Sequence, residues 1–147
     1  ELRDILRQRL LRVEPSDEEE LLSVLRLFKK NQVLAVAASD VLAERPIMKV
    51  SDSLTYIAEV VLEAALERAF AELVKRYGYP IAQNGDPVTE ADCGFAIIGY
   101  GKLGGLELSY SSDLDLVFLH KIKEQGMTTG EKSGASSASA CACYLRG

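Results

Sequence analysis

The chain has 147 residues, 48% apolar and 27% charged, with a formal net charge of −5 and an isoelectric point near 5.0. This is ordinary composition for one soluble domain; the acidic balance argues against a broad basic face for nucleic acid, which needs clustered Lys and Arg, but allows a pocket for one nucleoside triphosphate. No stretch approaches the roughly 18 apolar residues that span a bilayer, and the start, Glu1-Leu2-Arg3-Asp4, lacks the apolar segment of a secretory signal, so a cytoplasmic protein without membrane contact is expected.

Leu2, Ile5, Leu6, Leu10 and Val13 recur at three-and-four spacing and predict a first helix. Pro15 interrupts it. Ser16, with Glu19 three residues on, matches a capping box. A helix from about residue 17 would place Leu21, Leu22, Leu25 and Phe28 on one side. The apolar pattern continues through Val33, Leu34, Ala37 and Ala38 towards Leu42, as one long helix or two. Arg45-Pro46 should end it, because the residue before a proline is pushed out of helical geometry.

Ser51-Asp52-Ser53 offers side-chain caps for the next helix. Its stripe is the strongest periodic signal in the chain: Leu54, Ile57, Ala58, Val61, Leu62, Ala65, Leu66, Ala69, Phe70, Leu73, Val74 and Tyr77. Such a stripe anchors a core; the alternative is a docking face for a partner. Gly78 and Pro80 should stop the helix.

Residues 81–93 read as a loop, with turn residues dense at Asn84-Gly85-Asp86-Pro87. A short apolar run at 94–98 predicts a buried strand, followed by a glycine-rich turn and a second strand over about 113–120. Residues 126–143 are rich in Gly, Ser, Thr and Ala, so little order is expected there. Cys93, Cys141 and Cys143 have no disulfide-framework spacing. A structural zinc needs four ligands, and the single histidine, His120, lies far from Cys141-x-Cys143 in sequence.

The chemistry concentrates between Phe95 and His120. Gly104-Gly105 follows the first strand, and Asp113-x-Asp115 leads into the second. Side chains two apart on a strand share a face, so the two carboxylates should point the same way. Two adjacent carboxylates repel unless a cation lies between them or one is protonated. Mg²⁺ suits such a place, because it takes one or two carboxylates, keeps waters and completes its shell with phosphates. Paired ions of this kind bind the attacking and leaving oxygens in polymerase-like enzymes.

The glycines would let backbone amides approach a triphosphate without an intervening Cβ. A short helix over 106–111 would add its dipole. Lys102 is either a nearby cation or a solvated turn residue. A turn cap would explain Asp113 but not a second aspartate at i+2. Ser111 and Ser112 suit the turn rather than catalysis, Glu107 suits the surface, and His120, at the end of a strand, suits a structural or surface role rather than that of a base.

Two rival motifs fail. Gly99-Tyr-Gly101-Lys-Leu-Gly104 formally matches the dinucleotide fingerprint G-x-G-x-x-G. That fold needs a crossover helix and an acidic residue about 20 positions on, at the end of the second strand; here the acids come sooner and start the strand. The phosphate loop G-x-x-x-x-G-K-[ST] is absent, since Leu103 follows Lys102.

Gly104-Gly105, a seven-residue gap and Asp113-x-Asp115 resemble the signature of the polymerase-β-type nucleotidyltransferase superfamily. The longer wording, Gly99-Tyr-Gly-Lys-Leu-Gly-Gly-Leu-Glu-Leu-Ser-Tyr-Ser-Ser-Asp-Leu-Asp-Leu-Val-Phe-Leu-His120, is similar to the bifunctional glutamine synthetase adenylyltransferase and adenylyl-removing family, and most to its C-terminal adenylylating domain. Pro46-Ile-Met-Lys-Val-Ser-Asp-Ser-Leu-Thr-Tyr-Ile-Ala-Glu59 and Arg76-Tyr-Gly-Tyr-Pro80 resemble the helical lead-in, so the likeness runs over residues 25–121.

The resemblance implies an α+β fold: a helical lead-in over 1–80, then the first strands of a nucleotidyltransferase sheet over 81–123, incomplete at the C-terminus, with a disordered or aberrant tail at 124–147. It implies Mg²⁺-dependent transfer of AMP from ATP to a tyrosine of glutamine synthetase, with a PII signal protein as a possible regulator. Asp113 and Asp115 would be the catalytic, metal-binding pair; Gly104, Gly105, Lys102 and Ser112 would lie on the nucleotide.

The family carries a third metal-binding aspartate on a later strand, which is missing here. Residues 131–147 resemble nothing in the family beyond a faint Tyr144-Leu-Arg. The isolated chain is therefore expected to be weakly folded in its second half and poorly active. The alternatives are a non-catalytic helical docking or nucleotide-binding module, and the related de-adenylylating activity.

Overall fold

The computed structural model describes residues 1–14, 17–43, 46–79, 81, 87, 95–120 and 129. In chain order it has α1 (Leu2–Leu10), α2 (Glu18–Ala43), α3 (Ile47–Tyr77), β1 (Phe95–Tyr100), α4 (Gly101–Gly104) and β2 (Asp115–His120). β1 and β2 form a two-stranded antiparallel sheet, which makes the chain α+β, helical first and stranded after, as its sequence implies. Among the described residues, no helix is long and apolar enough to cross a membrane. The chain divides into two units: Glu1–Leu66 with Gly99–Asp115, and Glu67–Ile98 with Leu116–Gly147.

In the first unit, α1 buries Leu6 and Leu10, with Val13 just beyond its end. Ile5, expected on that face, is exposed. The buried face follows Leu2, Leu6 and Leu10 at four-residue intervals, and Ile5 lies about 100° off it.

α2 is one helix of 26 residues. Its cap is Asp17, whose Oδ1 accepts a 2.8 Å hydrogen bond from the Glu20 amide; Ser16, the expected cap, lies outside the described residues. Glu18, Glu19 and Glu20 fill the first turn, where negative charge favours the helix dipole. Leu25 and Phe28 are buried as expected, and Leu21 is packed beside them. Leu22 is exposed instead, and Val24 takes its place, because positions 21, 24, 25 and 28 form the stripe that a 3.6-residue period puts on one side.

α3 starts earlier than Ser51-Asp52-Ser53 suggested. The Pro46 carbonyl accepts from the Lys49 and Val50 amides at 2.9 and 3.3 Å, so the helix begins directly after the proline. Proline suits a helix start, since its fixed φ is already helical. The supposed caps are interior: Ser53 Oγ donates to the Lys49 carbonyl, and Asp52 pairs with Lys49.

The core cluster joins Leu6, Leu10, Leu25, Phe28, Val60 and Ala64, with Leu2, Leu21, Val24, Val61 and Ala65 packed against it. Each large apolar side chain so buried contributes roughly 1.5–3 kcal/mol before entropy. The α3 band centres on 57, 60, 61 and 64, so Val60 is buried while Leu62 and Leu66 are half-buried, a rotation from the predicted stripe. Arg3 joins α1 to α3 by a 2.7 Å ion pair with Glu63 and lies over the Tyr56 ring.

In the second unit, α3 runs to Tyr77 and closes at Gly78, as predicted; Gly78 has φ 78°, and its amide donates to the Val74 carbonyl at 2.8 Å. Pro80 and the turn at 84–86 lie outside the described residues, while Ile81 and Pro87 pair in one antiparallel bridge. Tyr79 exchanges two 2.9 Å hydrogen bonds with Thr129, the one described residue of the 124–147 tail. β1 is not the buried strand expected: its residues alternate half-buried and exposed, as on a sheet with one covered face. Phe95 stacks with Phe118 of β2, ring centroids 6.1 Å apart.

Candidate functional site

The segment from Gly99 to Asp115 is a tight turn shaped by three glycines. At the end of β1 the chain reverses through Gly101, whose φ of 55° lies in the left-handed region that side chains disfavour. A Cβ on Gly101 would also collide with Oδ2 of Asp115, so this carboxylate sits directly over a glycine backbone. A Cβ on Gly99 would come within 2.7 Å of Leu103, which is buried above it. A Cβ on Gly104 would lie 2.6 Å from the Gly99 carbonyl oxygen.

Gly105 differs. It is right-handed, with φ −83° and ψ −1°. A Cβ there would meet the Gly101 oxygen at 3.4 Å and the Glu107 side chain at 3.7 Å, both ordinary contacts. Neither its backbone angles nor its neighbours require a glycine.

The short helix is α4, which ends at the first residue of the diglycine, and does not lie over 106–111. It ends in a Schellman closure: the Glu107 amide donates to the Lys102 carbonyl at 2.8 Å and the Leu106 amide to Leu103 at 3.2 Å, with Leu106 left-handed at φ 57°. The Gly105 amide donates to the Gly101 carbonyl at 3.0 Å. These amides are therefore committed inside the turn. At Gly105 the chain offers open Cα surface more than a spare donor.

A second small turn carries the acids. The Ser109 amide donates to Ser112 Oγ at 2.9 Å, their hydroxyls lie 2.8 Å apart, and the Ser112 amide returns to the Ser109 carbonyl at 3.1 Å. Leu108 is buried beneath this turn. Tyr110 donates its hydroxyl hydrogen to Asp40 Oδ2 of α2 at 2.9 Å. Ser112 is thus a turn former by its bonds. Asp113 and Asp115 are both exposed, and Leu114 and Leu116 between and beyond them are half-buried. β2 begins at Asp115, so Asp113 precedes the strand that was expected to include it. Lys102 and Glu107 are exposed on the turn. His120 ends β2, and its side chain lies outside the described residues.

Among the described residues, no three of His, Cys, Asp and Glu gather closely enough to hold a metal by themselves. Two solvent-facing carboxylates do not form an all-protein cage. They do fit Mg²⁺ in its commoner mode, where waters and substrate phosphates supply the remaining oxygens. A dinucleotide crossover is excluded: α4 has four residues and the strands are antiparallel, whereas a parallel pair needs a dozen or more residues between strands.

The structural need for glycine at 99 and 101 was not anticipated, although Gly99-Tyr-Gly101-Lys after a strand stands in the family wording as well as in the rejected dinucleotide motif. Asp40 and Tyr110, 70 positions apart, left no signal of their meeting.

The profile of the glutamate-ammonia ligase adenylyltransferase family matches residues 1–146, a longer span than the 25–121 over which the wording was recognisable. The bifunctional glutamine synthetase adenylyltransferase/adenylyl-removing enzyme of Acinetobacter baylyi (strain ATCC 33305 / BD413 / ADP1) is 58% identical over 133 residues. That alignment covers 90% of this chain and 14% of the relative, so the chain spans a small part of the length of the protein it matches.

Proposed function

The chain belongs to the glutamate-ammonia ligase adenylyltransferase family, and from this premise we propose that it supplies the nucleotide- and metal-binding edge of an AMP-transferring site. ATP is the donor and a tyrosine hydroxyl of glutamine synthetase the acceptor. The hydroxyl oxygen bonds to the α-phosphorus, the bond from that phosphorus to the bridging oxygen breaks, and pyrophosphate leaves. The proton of the hydroxyl passes to solvent or to a phosphate oxygen. Mg²⁺, when bound, would neutralise the phosphate charge.

In this reading Asp113 and Asp115 hold the ion. Gly104 keeps the turn tight against Gly99, Gly105 lets the triphosphate approach, and Lys102 adds positive charge. Ser112 shapes the turn on the nucleotide side. The nucleophile comes from the acceptor protein, so this chain's task is positioning and charge neutralisation. A PII signal protein as regulator and a cytoplasmic setting belong to the same proposal.

The observation that carries the reading is the pairing of two exposed carboxylates at alternate positions with a glycine-built turn, Asp115 lying over the bare backbone of Gly101. Calorimetry of the full chain with ATP, with and without Mg²⁺, tests it, followed by labelled-AMP transfer to glutamine synthetase. Asp115→Asn keeps the shape of the side chain and removes its charge. It should abolish Mg²⁺-dependent ATP binding with helical content unchanged. Unaltered binding in that variant would remove Asp115 from the site.

A further inference from the structure

We propose that Asp40 and Tyr110 are a positioning pair that clamps the acid-bearing turn to α2; the inference rests on the assignment of Asp113 and Asp115 above. Three observations converge. First, Tyr110 donates its hydroxyl hydrogen to Asp40 Oδ2 at 2.9 Å, across 70 positions of sequence. Second, Tyr110 lies inside the turn closed by Ser109 and Ser112, so fixing its ring fixes that turn, and Asp113 follows it by one residue. Leu108, buried beside the turn, makes a second anchor point.

Third, Asp40 is out of place by helix rules. It stands in the last turn of α2, which carries no basic residue. The dipole favours cations there and disfavours carboxylates, and aspartate is a poor helix former. A local rule broken in this way commonly marks a residue kept for another purpose. The bond to Tyr110 supplies that purpose. Neither residue touches ATP or the ion in this scheme; both act through the placement of Asp113.

The pair makes a distinct prediction about metal-dependent binding. Tyr110→Phe removes one oxygen and leaves the ring, so the fold should persist. Losing one such hydrogen bond should weaken Mg²⁺-dependent ATP binding about 3- to 10-fold, with ATP binding in the absence of Mg²⁺ unchanged. Asp40→Ala should produce the same loss, and the double variant should lose no more than either single one. Asp40→Asn keeps an oxygen acceptor and should restore most of the affinity. A purely structural bond would instead lower thermal stability and leave the metal dependence unmoved.

The experiment is calorimetry of the full chain and these variants across a Mg²⁺ series, paired with amide hydrogen exchange of residues 108–113 in the ligand-free chain. Faster exchange in Tyr110→Phe together with the 3- to 10-fold affinity loss is the expected result. Wild-type exchange rates in Tyr110→Phe overturn the clamp. So does faster exchange combined with wild-type Mg²⁺-ATP affinity. If the wild-type chain shows no Mg²⁺-dependent ATP binding at all, the nucleotide-site assignment fails first and the functional role of the pair falls with it.

Discussion

The two adjacent glycines should respond in opposite ways to the same added methyl group. Gly105 is in the right-handed region, and a Cβ there meets nothing closer than 3.4 Å. Alanine at a compatible glycine position stabilises by about 0.4–1 kcal/mol, chiefly by restricting the unfolded chain. Gly104 is held against the backbone of Gly99, and its Cβ would lie 2.6 Å from a carbonyl oxygen that no rotamer change can move. Overpacking of that kind costs about 1–3 kcal/mol. A chain of this size shifts its melting temperature by about 2–4 °C per kcal/mol. Gly105→Ala should therefore melt about 1–4 °C higher, and Gly104→Ala about 2–12 °C lower. Differential scanning calorimetry reads both shifts, and ATP titration of the same samples reads the site. If the absent side chain at 105 exists to admit phosphate, Gly105→Ala will be the more stable protein and the weaker binder of Mg²⁺-ATP. A Gly105→Ala variant that binds ATP as well as wild type would refute the ligand explanation. One that melts lower than wild type would refute the packing analysis.

Two further predictions concern the helical part. Asp17→Ala removes the acceptor of the Glu20 amide at the start of α2 and should cost about 0.5–2 kcal/mol, measured by chemical denaturation; no loss would mean that another group caps α2. Thr55 is 3% exposed, and its hydroxyl finds no hydrogen-bond partner among the described residues. A buried, unsatisfied polar group costs about 1–3 kcal/mol, so Thr55→Val, of nearly the same shape, should raise the melting temperature. A lower one would reveal a partner for the hydroxyl, such as a buried water.

Local signals in this chain were enough to place most of its elements. The apolar spacing of α1 and α2, the glycine that closes α3, the strand entering the glycine-rich turn and the strand after the aspartates all follow from backbone rules acting over a few residues. The helix-then-strand order fixed the α+β class, and the wording around Asp113 and Asp115 pointed to the family that the profile then matched. The misses in burial share one cause. Which of two neighbouring apolar residues is buried depends on where the opposing helix lies, so Leu22 gave way to Val24 and Leu62 to Val60. The start of α3 moved because a proline carbonyl began its hydrogen-bond ladder. The placing of Asp115 over Gly101 and the meeting of Asp40 with Tyr110 exist only once residues far apart in sequence share space. Sequence periodicity carries no information about such distances, so the presence of acids and glycines was legible from the residues, whereas the division of labour among those glycines was set by tertiary contact.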